Sequence, residues 1–166
     1  MKTFLILSLL SLSASARAQE RFTAEQRNAR FYYDLGPKEV DVTSYPKEQQ
    51  ENYKTFTKTC SQCHTLARPL NSPLVTREDW RRYTRRMHRK AKMSASNAIS
   101  TAAAKEAINF LIYDAQIRKV KNAAGFAAQT LELKALFAEV RAERARIQVE
   151  TDKKKTQEPA PYMGGK

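Results

Sequence analysis

Apolar residues recur at intervals of three and four positions along most of the chain, which is the spacing of one face of an α-helix. These patterns predict helices over residues 47–60, 78–92, 100–119 and 123–155. No segment alternates apolar and polar residues over the length of a strand. The chain has only four glycines, and its long stretches of alanine, lysine, arginine and glutamate favour helix. The sequence therefore predicts an all-α fold.

Two of these helices are expected to pair with each other. Tyr53, Phe56 and Cys60 fall on one face of the first helix, which brings two rings and a cysteine to the same side. Ser100 is a good N-cap residue for a later helix that has an apolar face of its own, and this face is expected to pack against the first helix. Its apolar positions are Ala104, Ile108, Leu111, Ile112 and Ala115.

The N-terminus has the pattern of a secretory signal peptide over residues 1–18. Lys2 supplies a positive charge, residues 4–12 form an apolar run broken only by serines, and Ala16 to Ala18 form a cleavage site of the A-x-A type. The run is about half as long as the roughly 20 residues needed to cross a bilayer, which disfavours an uncleaved anchor. The sequence thus predicts export, with the bacterial periplasm as the location.

The segment after the signal peptide, residues 19–46, is rich in charged residues and turn formers. It is predicted to be an extended arm wrapped on the domain, anchored by the rings of Phe31, Tyr32 and Tyr33. The main domain is expected to follow over residues 47–120.

A long helix is expected after the main domain, over residues 121–150. It either folds back on the domain or lies across a partner. Residues 151–166 are charged and then contain proline and glycine, which predicts a flexible tail. The helix has apolar residues at a four-three spacing: Phe126, Leu133, Phe137, Val140 and Ile147.

Residues 60–64 read Cys-Ser-Gln-Cys-His, the CxxCH pattern by which a c-type haem is attached. Cys60 and Cys63 would each form one thioether to the porphyrin, and His64 would bind the iron from one side. The chain has two cysteines in all, so a single haem accounts for both. The alternatives are a disulfide, a thioredoxin-like redox pair and half of a zinc site. They are disfavoured because no strand–helix alternation is present and only His88 remains as a further ligand.

An electron carrier needs a second ligand on the opposite face of the iron, and methionine sulfur is the usual choice. Met1 leaves with the signal peptide and Met163 lies in the tail, so the candidates are Met87, His88 and Met93. Chain order alone favours Met93, because it lies in a loop directly before the last helix of the core.

The iron-binding histidine should have a fixed partner of its own, since a ligating imidazole normally donates its second ring N–H to an acceptor. Pro69 and Pro73 are expected to interrupt any helix after the motif. A backbone carbonyl in this loop, which contains Asn71 and Ser72, is the expected acceptor for His64.

The chain is strongly basic. Loss of Lys2 and Arg17 with the signal peptide lowers the net charge only from +13 to +11. Such a charge favours acidic proteins or an anionic membrane surface as partners, and export disfavours nucleic acid. In helix 78–92, Trp80, Tyr83 and Met87 share one face, and cations cover the rest as a candidate docking surface. These cations are Arg81, Arg82, Arg85, Arg86, Arg89 and Lys90.

Residues 45–119 resemble a family of exported bacterial monohaem cytochromes c, related to class I and to reaction-centre cytochromes of the c-551 or cz type. The matching pieces are the run CSQCHTLARPLNSP from Cys60 to Pro73, Trp80 followed by Met87, and FLIYD from Phe110 to Asp114. The resemblance implies a class I cytochrome c-like haem domain, here with an N-terminal arm and an extra long C-terminal helix.

The resemblance also bears on the sixth iron ligand. In the family, the methionine after the tryptophan helix is the presumed ligand, which implies Met87, with Met93 as the alternative. This chain departs from the family at Ala91 to Ala98, where relatives have a short Lys-Pro-Gly-Ser turn.

One-electron transfer is the function that these features predict. No nucleophile, general base or pair of convergent carboxylates is visible, so an enzyme acting alone is not expected. Acidic redox proteins or a membrane redox complex are the expected partners. Two alternatives remain open: a haem-bearing subunit of a larger membrane or multi-subunit redox complex, and an open-site haem sensor or small peroxidase.

Overall fold

The computed structural model describes residues 21–91, 93 and 98–157. This part of the chain contains helices and turns but no strand, so the predicted all-α class is confirmed. The predicted signal peptide lies outside the described residues. The helices are α1 (Ala24–Asn28), α2 (Lys47–Cys60), α3 (Ala67–Asn71), α4 (Arg77–Ala91), α5 (Thr101–Ala115) and α6 (Ala123–Gln157), with a 3-10 turn at Tyr32–Leu35 and a π-helical stretch at Gln116–Lys121.

The core lies between α2 and α5, which confirms the predicted pairing of these helices. Tyr53 and Phe56 of α2 meet Phe110 of α5 with ring centroids 4.9 and 5.0 Å apart. Trp80 of α4 is fully buried in the same cluster. Ser100 caps α5 as predicted, because its Oγ accepts a hydrogen bond from the N–H of Ala103 at 3.1 Å.

A short helix, α3, follows the CxxCH motif where the sequence predicted an interrupted loop. The prediction was wrong because Pro69 lies in the first turn of α3, where a backbone N–H has no partner within the helix. Pro73 does lie beyond the end of the helix, two residues after Asn71.

The N-terminal arm, residues 21–46, contains α1 and the 3-10 turn and is not simply extended. Its buried residues are Phe22, Ala29, Gly36 and Tyr45. Of the three predicted anchor rings, Tyr32 and Tyr33 are half-buried and lie in the 3-10 turn that contacts α3 and α6, whereas Phe31 is 45% exposed. The arm is therefore attached by the turn that carries two of the predicted rings and by the buried residues on either side of it.

Close backbone approach joins the arm to α3. The Asn71 side chain donates a hydrogen bond to the carbonyl oxygen of Pro37 at 2.9 Å. A Cβ on Gly36 would collide with that same side chain, so only glycine leaves room for the contact. This explains why the arm turns at Gly36 against the helix that follows the motif.

The long helix α6 folds back on the arm, and it contacts α1 and the 3-10 turn. Leu133 and Val140 are buried, while Phe126 and Phe137 are half-buried, as the four-three pattern predicted. Ile147 is 37% exposed, and the side chains of residues 145–156 lie in solvent.

Helix α6 ends at Gln157, two residues beyond the helix that the apolar pattern predicts over residues 123–155. Residues 151–157 of the predicted tail are therefore helical, because the first helix breaker after them is Pro159. Residues 158–166 lie outside the described residues. Among the helices described, none is both long and apolar enough to cross a membrane.

Candidate functional site

A cavity of about 360 Å³ opens between the CxxCH motif, α4 and α5. Cys60, Cys63 and His64 line it, and Met87 of α4 lines the same space. The wall is mostly apolar, with Pro69, Ala91, Ile99, Ala104, Ala107 and Leu111. Its size is within the range of pockets that take a small ligand or cofactor.

The two motif cysteines have different surroundings. Cys60 is the last residue of α2 and is half-buried against the core, whereas Cys63 is exposed. Burial, followed by the nearby Cys63, raises the pKa of the Cys60 thiol to about 12. Cys60 is therefore a protonated, weakly nucleophilic thiol in the folded chain.

The His64 imidazole is half-buried, and its orientation is fixed by the backbone. Nδ1 lies 2.9 Å from the carbonyl oxygen of Thr65, and because a carbonyl can only accept, Nδ1–H is the donor. Burial lowers the pKa of His64, which favours the neutral ring. In that tautomer Nε2 has a lone pair and can bind a metal.

The backbone carbonyls of the loop after the motif do not accept the hydrogen bond from His64, contrary to the prediction. They accept hydrogen bonds from the π-helical stretch instead: Arg118 donates to Leu70 at 2.8 Å, and Lys119 donates to Ser72 at 2.7 Å and to Leu74 at 3.1 Å. His64 is bonded to the carbonyl of Thr65, the residue that follows it in the chain.

The sixth-ligand candidates occupy different places. Met87 and His88 are half-buried and line the cavity with the motif. Met93 is 88% exposed and is not among the residues that line it. Lys92 and residues 94–97 beside Met93 lie outside the described part of the chain.

Three buried hydrogen-bond donors have no partner among the described residues. Nε of Arg144 lies on α6, and the other two, Nε1 of Trp80 and the hydroxyl of Tyr83, lie one turn apart on α4. Of the three, only Tyr83 lines the cavity, and burial raises the pKa of its hydroxyl to about 12. Buried donors are normally paired, so the Tyr83 hydroxyl is available to an acceptor in the cavity that the described residues do not supply.

Two arginine side chains line the cavity. Arg68 of α3 and Arg30 of the arm both line it. The Arg68 guanidinium forms a two-point ion pair with Asp34, with N–O distances of 2.7 and 2.8 Å. None of these three residues was predicted from the sequence, because a charged residue beside a proline or in a turn-rich arm has no periodic signal that separates it from ordinary surface.

A basic groove lies on the other side of α4. It is lined by Arg82, Arg85, Arg86 and Arg89, together with Leu74 and Asp79. Asp79 pairs with Arg82 at 2.6 Å. Within the described residues the other three arginines form no ion pair, so their charge faces solvent.

No protein-family model matches the chain, and neither the search of curated proteins nor that of solved structures gives a match. Within residues 21–91, 93 and 98–157, no three His, Cys, Asp or Glu side chains converge as they would around a metal ion.

Proposed function

We propose that this chain is an exported monohaem c-type cytochrome of the class I kind that transfers single electrons. Cys60 and Cys63 would hold the haem covalently, and His64 and Met87 would bind its iron. Bound there, the haem supplies a metal centre that cycles between ferrous and ferric states.

The observation that carries the proposal is the convergence of these four side chains on one cavity. Cys60 ends α2, His64 lies beyond it, and Met87 comes from α4, yet all line the same space with Cys63. A CxxC pair acting as a disulfide or redox switch has no need of a methionine from a distant helix. A covalently attached haem with histidine and methionine as iron ligands uses this combination of two thiols, one imidazole and one thioether.

The unpaired Tyr83 hydroxyl supports the same ligand. A haem has two carboxylate side chains, and this hydroxyl, which lines the cavity, could donate to one that reaches the interior. Arg30, which also lines the cavity, could neutralise its charge. The residues present therefore fit a haem in polar as well as apolar contacts.

The polypeptide would set the conditions for electron transfer. The Thr65 carbonyl keeps the His64 ring in one tautomer and orientation. Phe110, Leu111 and Trp80 form a dry core beside the cavity, which limits water access. A thioether ligand raises the reduction potential relative to a second imidazole.

The arginine-lined groove on α4 supports an acidic redox protein, or an acidic face of a membrane redox complex, as partner. Met87 and these arginines share one helix, so a partner docked there would lie about one helix width from the cavity. An anionic membrane surface could use the same charge.

Haem attachment and ligation can be tested together. The chain is expressed with a haem-attachment system, denatured and extracted with acidified acetone. Covalent haem should stay with the polypeptide, and Cys60→Ser plus Cys63→Ser should release it. Colourless extracted protein would overturn the proposal.

The sixth ligand is tested by comparing Met87→Ala with Met93→Ala, which serves as a matched control. Sulfur bound to ferric haem gives a weak far-red absorption band. We expect Met87→Ala to abolish the band and Met93→Ala to keep it. Loss of the band only in Met93→Ala would reverse the assignment.

One observation favours a second candidate function, in which the chain is a haem-bearing subunit of a larger complex. The last part of α6 lies in solvent, with Val149 52% exposed and Ile147 37% exposed. A stoichiometric partner that co-purifies at moderate salt and is lost when residues 145–166 are removed would establish this reading. A monomer that elutes alone supports the free carrier.

A further inference from the structure

Asp34, in the 3-10 turn of the arm, accepts four hydrogen bonds. Nε and Nη2 of Arg68 donate to its two carboxylate oxygens at 2.7 and 2.8 Å. The backbone N–H groups of Arg30 and Phe31 donate to it at 2.8 and 3.1 Å. The Asp34 side chain is only 7% exposed and that of Arg68 22%. A shielded two-point pair of this kind is stronger and better ordered than an ion pair in solvent.

The pair sits at the cavity, and the rest of the fold keeps it there. Arg68 lines the cavity together with His64, and its guanidinium lies 5.5 Å from the Phe31 ring centre. On one side Asn71 bonds to the arm at Pro37, and on the other Arg144 of α6 bonds to the carbonyl of Ala29. The arm cannot shift without breaking these contacts.

We propose that Asp34 is a positioning residue of the haem site: it fixes the Arg68 guanidinium on the cavity wall beside His64 and balances its charge, so that the pair tunes the reduction potential. The inference rests on the proposed function. It assigns a role in the site to the N-terminal arm, which lies mostly outside the segment with cytochrome resemblance.

The physical argument is electrostatic. Reduction removes one positive charge from the iron, so a nearby unbalanced cation favours the ferrous form and an unbalanced anion favours the ferric form. In the native pair the two charges largely cancel. Asp34→Asn leaves Arg68 unbalanced and should raise the potential, whereas Arg68→Gln leaves Asp34 unbalanced and should lower it.

The experiment measures the reduction potentials of the haem-loaded wild type, both single variants and the double variant. We expect the singles to change the ratio of reduced to oxidised protein about tenfold in opposite directions, which is about 59 mV for a one-electron couple. The double variant should return close to the wild type. A purely structural role would loosen the arm in both single variants and move both potentials in the same direction.

The matched control is the exposed ion pair between Glu25 and Lys38 on the same arm, at 2.6 Å with about half of each side chain in solvent. Glu25→Gln and Lys38→Gln should leave the potential unchanged, because solvent and salt screen that pair. Equal potentials in Asp34→Asn, Arg68→Gln and wild type, or shifts of one sign, would overturn the inference.

A second variant and a second measurement distinguish a loss of folding or of arm attachment from an electrostatic effect on the potential. Arg68→Gln preserves the backbone hydrogen bonds of Asp34, so it tests the inference even if Asp34→Asn fails to fold. Trypsin cleavage of each haem-loaded variant at Arg30 reports whether the arm stays attached. Failure to bind haem at all would overturn the proposed function instead, which separates the two outcomes.

Discussion

At the scale of single residues, Lys119 has its amine in the interior, with only 7% of the residue's surface exposed. Its Nζ donates to the carbonyls of Ser72 and Leu74, and it lies 5.3 Å from the Trp80 ring centre and 5.4 Å from that of Phe126. Burial, and next the neighbouring Arg118, lower its pKa to about 7, while Asp114 opposes the shift. Lys119 thus ties the loop after the motif to α4 and α6.

This pKa predicts a pH dependence of stability. Between pH 7 and the ordinary lysine value of 10.5, the unfolded chain binds a proton that the folded chain does not. The free energy of unfolding should therefore rise with pH across this window, by up to about 1.4 kcal/mol per pH unit. Urea unfolding of the haem-loaded protein at several pH values measures the slope.

Two variants isolate the contribution of Lys119 to that slope. Lys119→Met removes the titrating group and keeps an unbranched chain between the rings, so its slope should be smaller. Lys121→Met is the control, because Lys121 is exposed and should not alter the slope. Parallel curves for the wild type and Lys119→Met would contradict the assignment.

The sequence predicts the residues of the CxxCH motif at the site, but it does not predict buried basic residues such as Lys119. The CxxCH motif and the spacing from Trp80 to Met87 are local patterns, and the structure places all of these residues at one cavity or beside it. Arg118 and Lys119 look like ordinary cations at a helix end. Their burial depends on a loop some 45 residues away along the chain, which no local pattern encodes.

At the scale of elements, α6 secures the arm. Its buried side carries Leu133 and Val140, and its middle is bonded to the arm through Glu139 with Arg21 at 2.6 Å and through Arg144 with Ala29. The surface ion pair contributes little, so apolar burial should dominate. The periodicity of α6 was readable from the sequence. The surface that it covers was not, because the arm has no comparable pattern.

Leucines two residues apart on α6 provide a matched test of this packing. Leu133 is 9% exposed and Leu131 is 68% exposed. Leu133→Ala should lower the free energy of unfolding by about 2–3 kcal/mol, because it removes buried apolar surface and leaves a cavity. Leu131→Ala should change it by less than about 0.5 kcal/mol. Equal losses in urea unfolding would show that α6 does not pack as described.

At the scale of the whole molecule, positive charge is distributed unevenly. The chain has a formal net charge of +13. The arginines of the groove lie on α4, the helix that also lines the cavity, whereas Lys153 and Lys154 lie near the C-terminal end of α6. Charge close to an electron-transfer site accelerates encounters with anionic partners at low salt. Distant charge of the same sign should matter less, because the screening length is about 10 Å at 0.1 M salt.

Oxidation rates with small oxidants of opposite charge distinguish the effect of the groove charges from that of the charges at the end of α6. At low salt, Arg85→Glu with Arg89→Glu should slow oxidation of the reduced protein by anionic hexacyanoferrate(III) about tenfold and accelerate oxidation by a cationic cobalt complex. Lys153→Glu with Lys154→Glu makes the same change in net charge and should alter neither rate by more than about twofold. Potentials are measured for each variant, so that rates are compared at equal driving force. Because salt screens the charges of the groove, the differences between the variants should disappear near 1 M salt. Equal effects from the two double variants would mean that total charge, and not the α4 groove, governs the encounter with the oxidant.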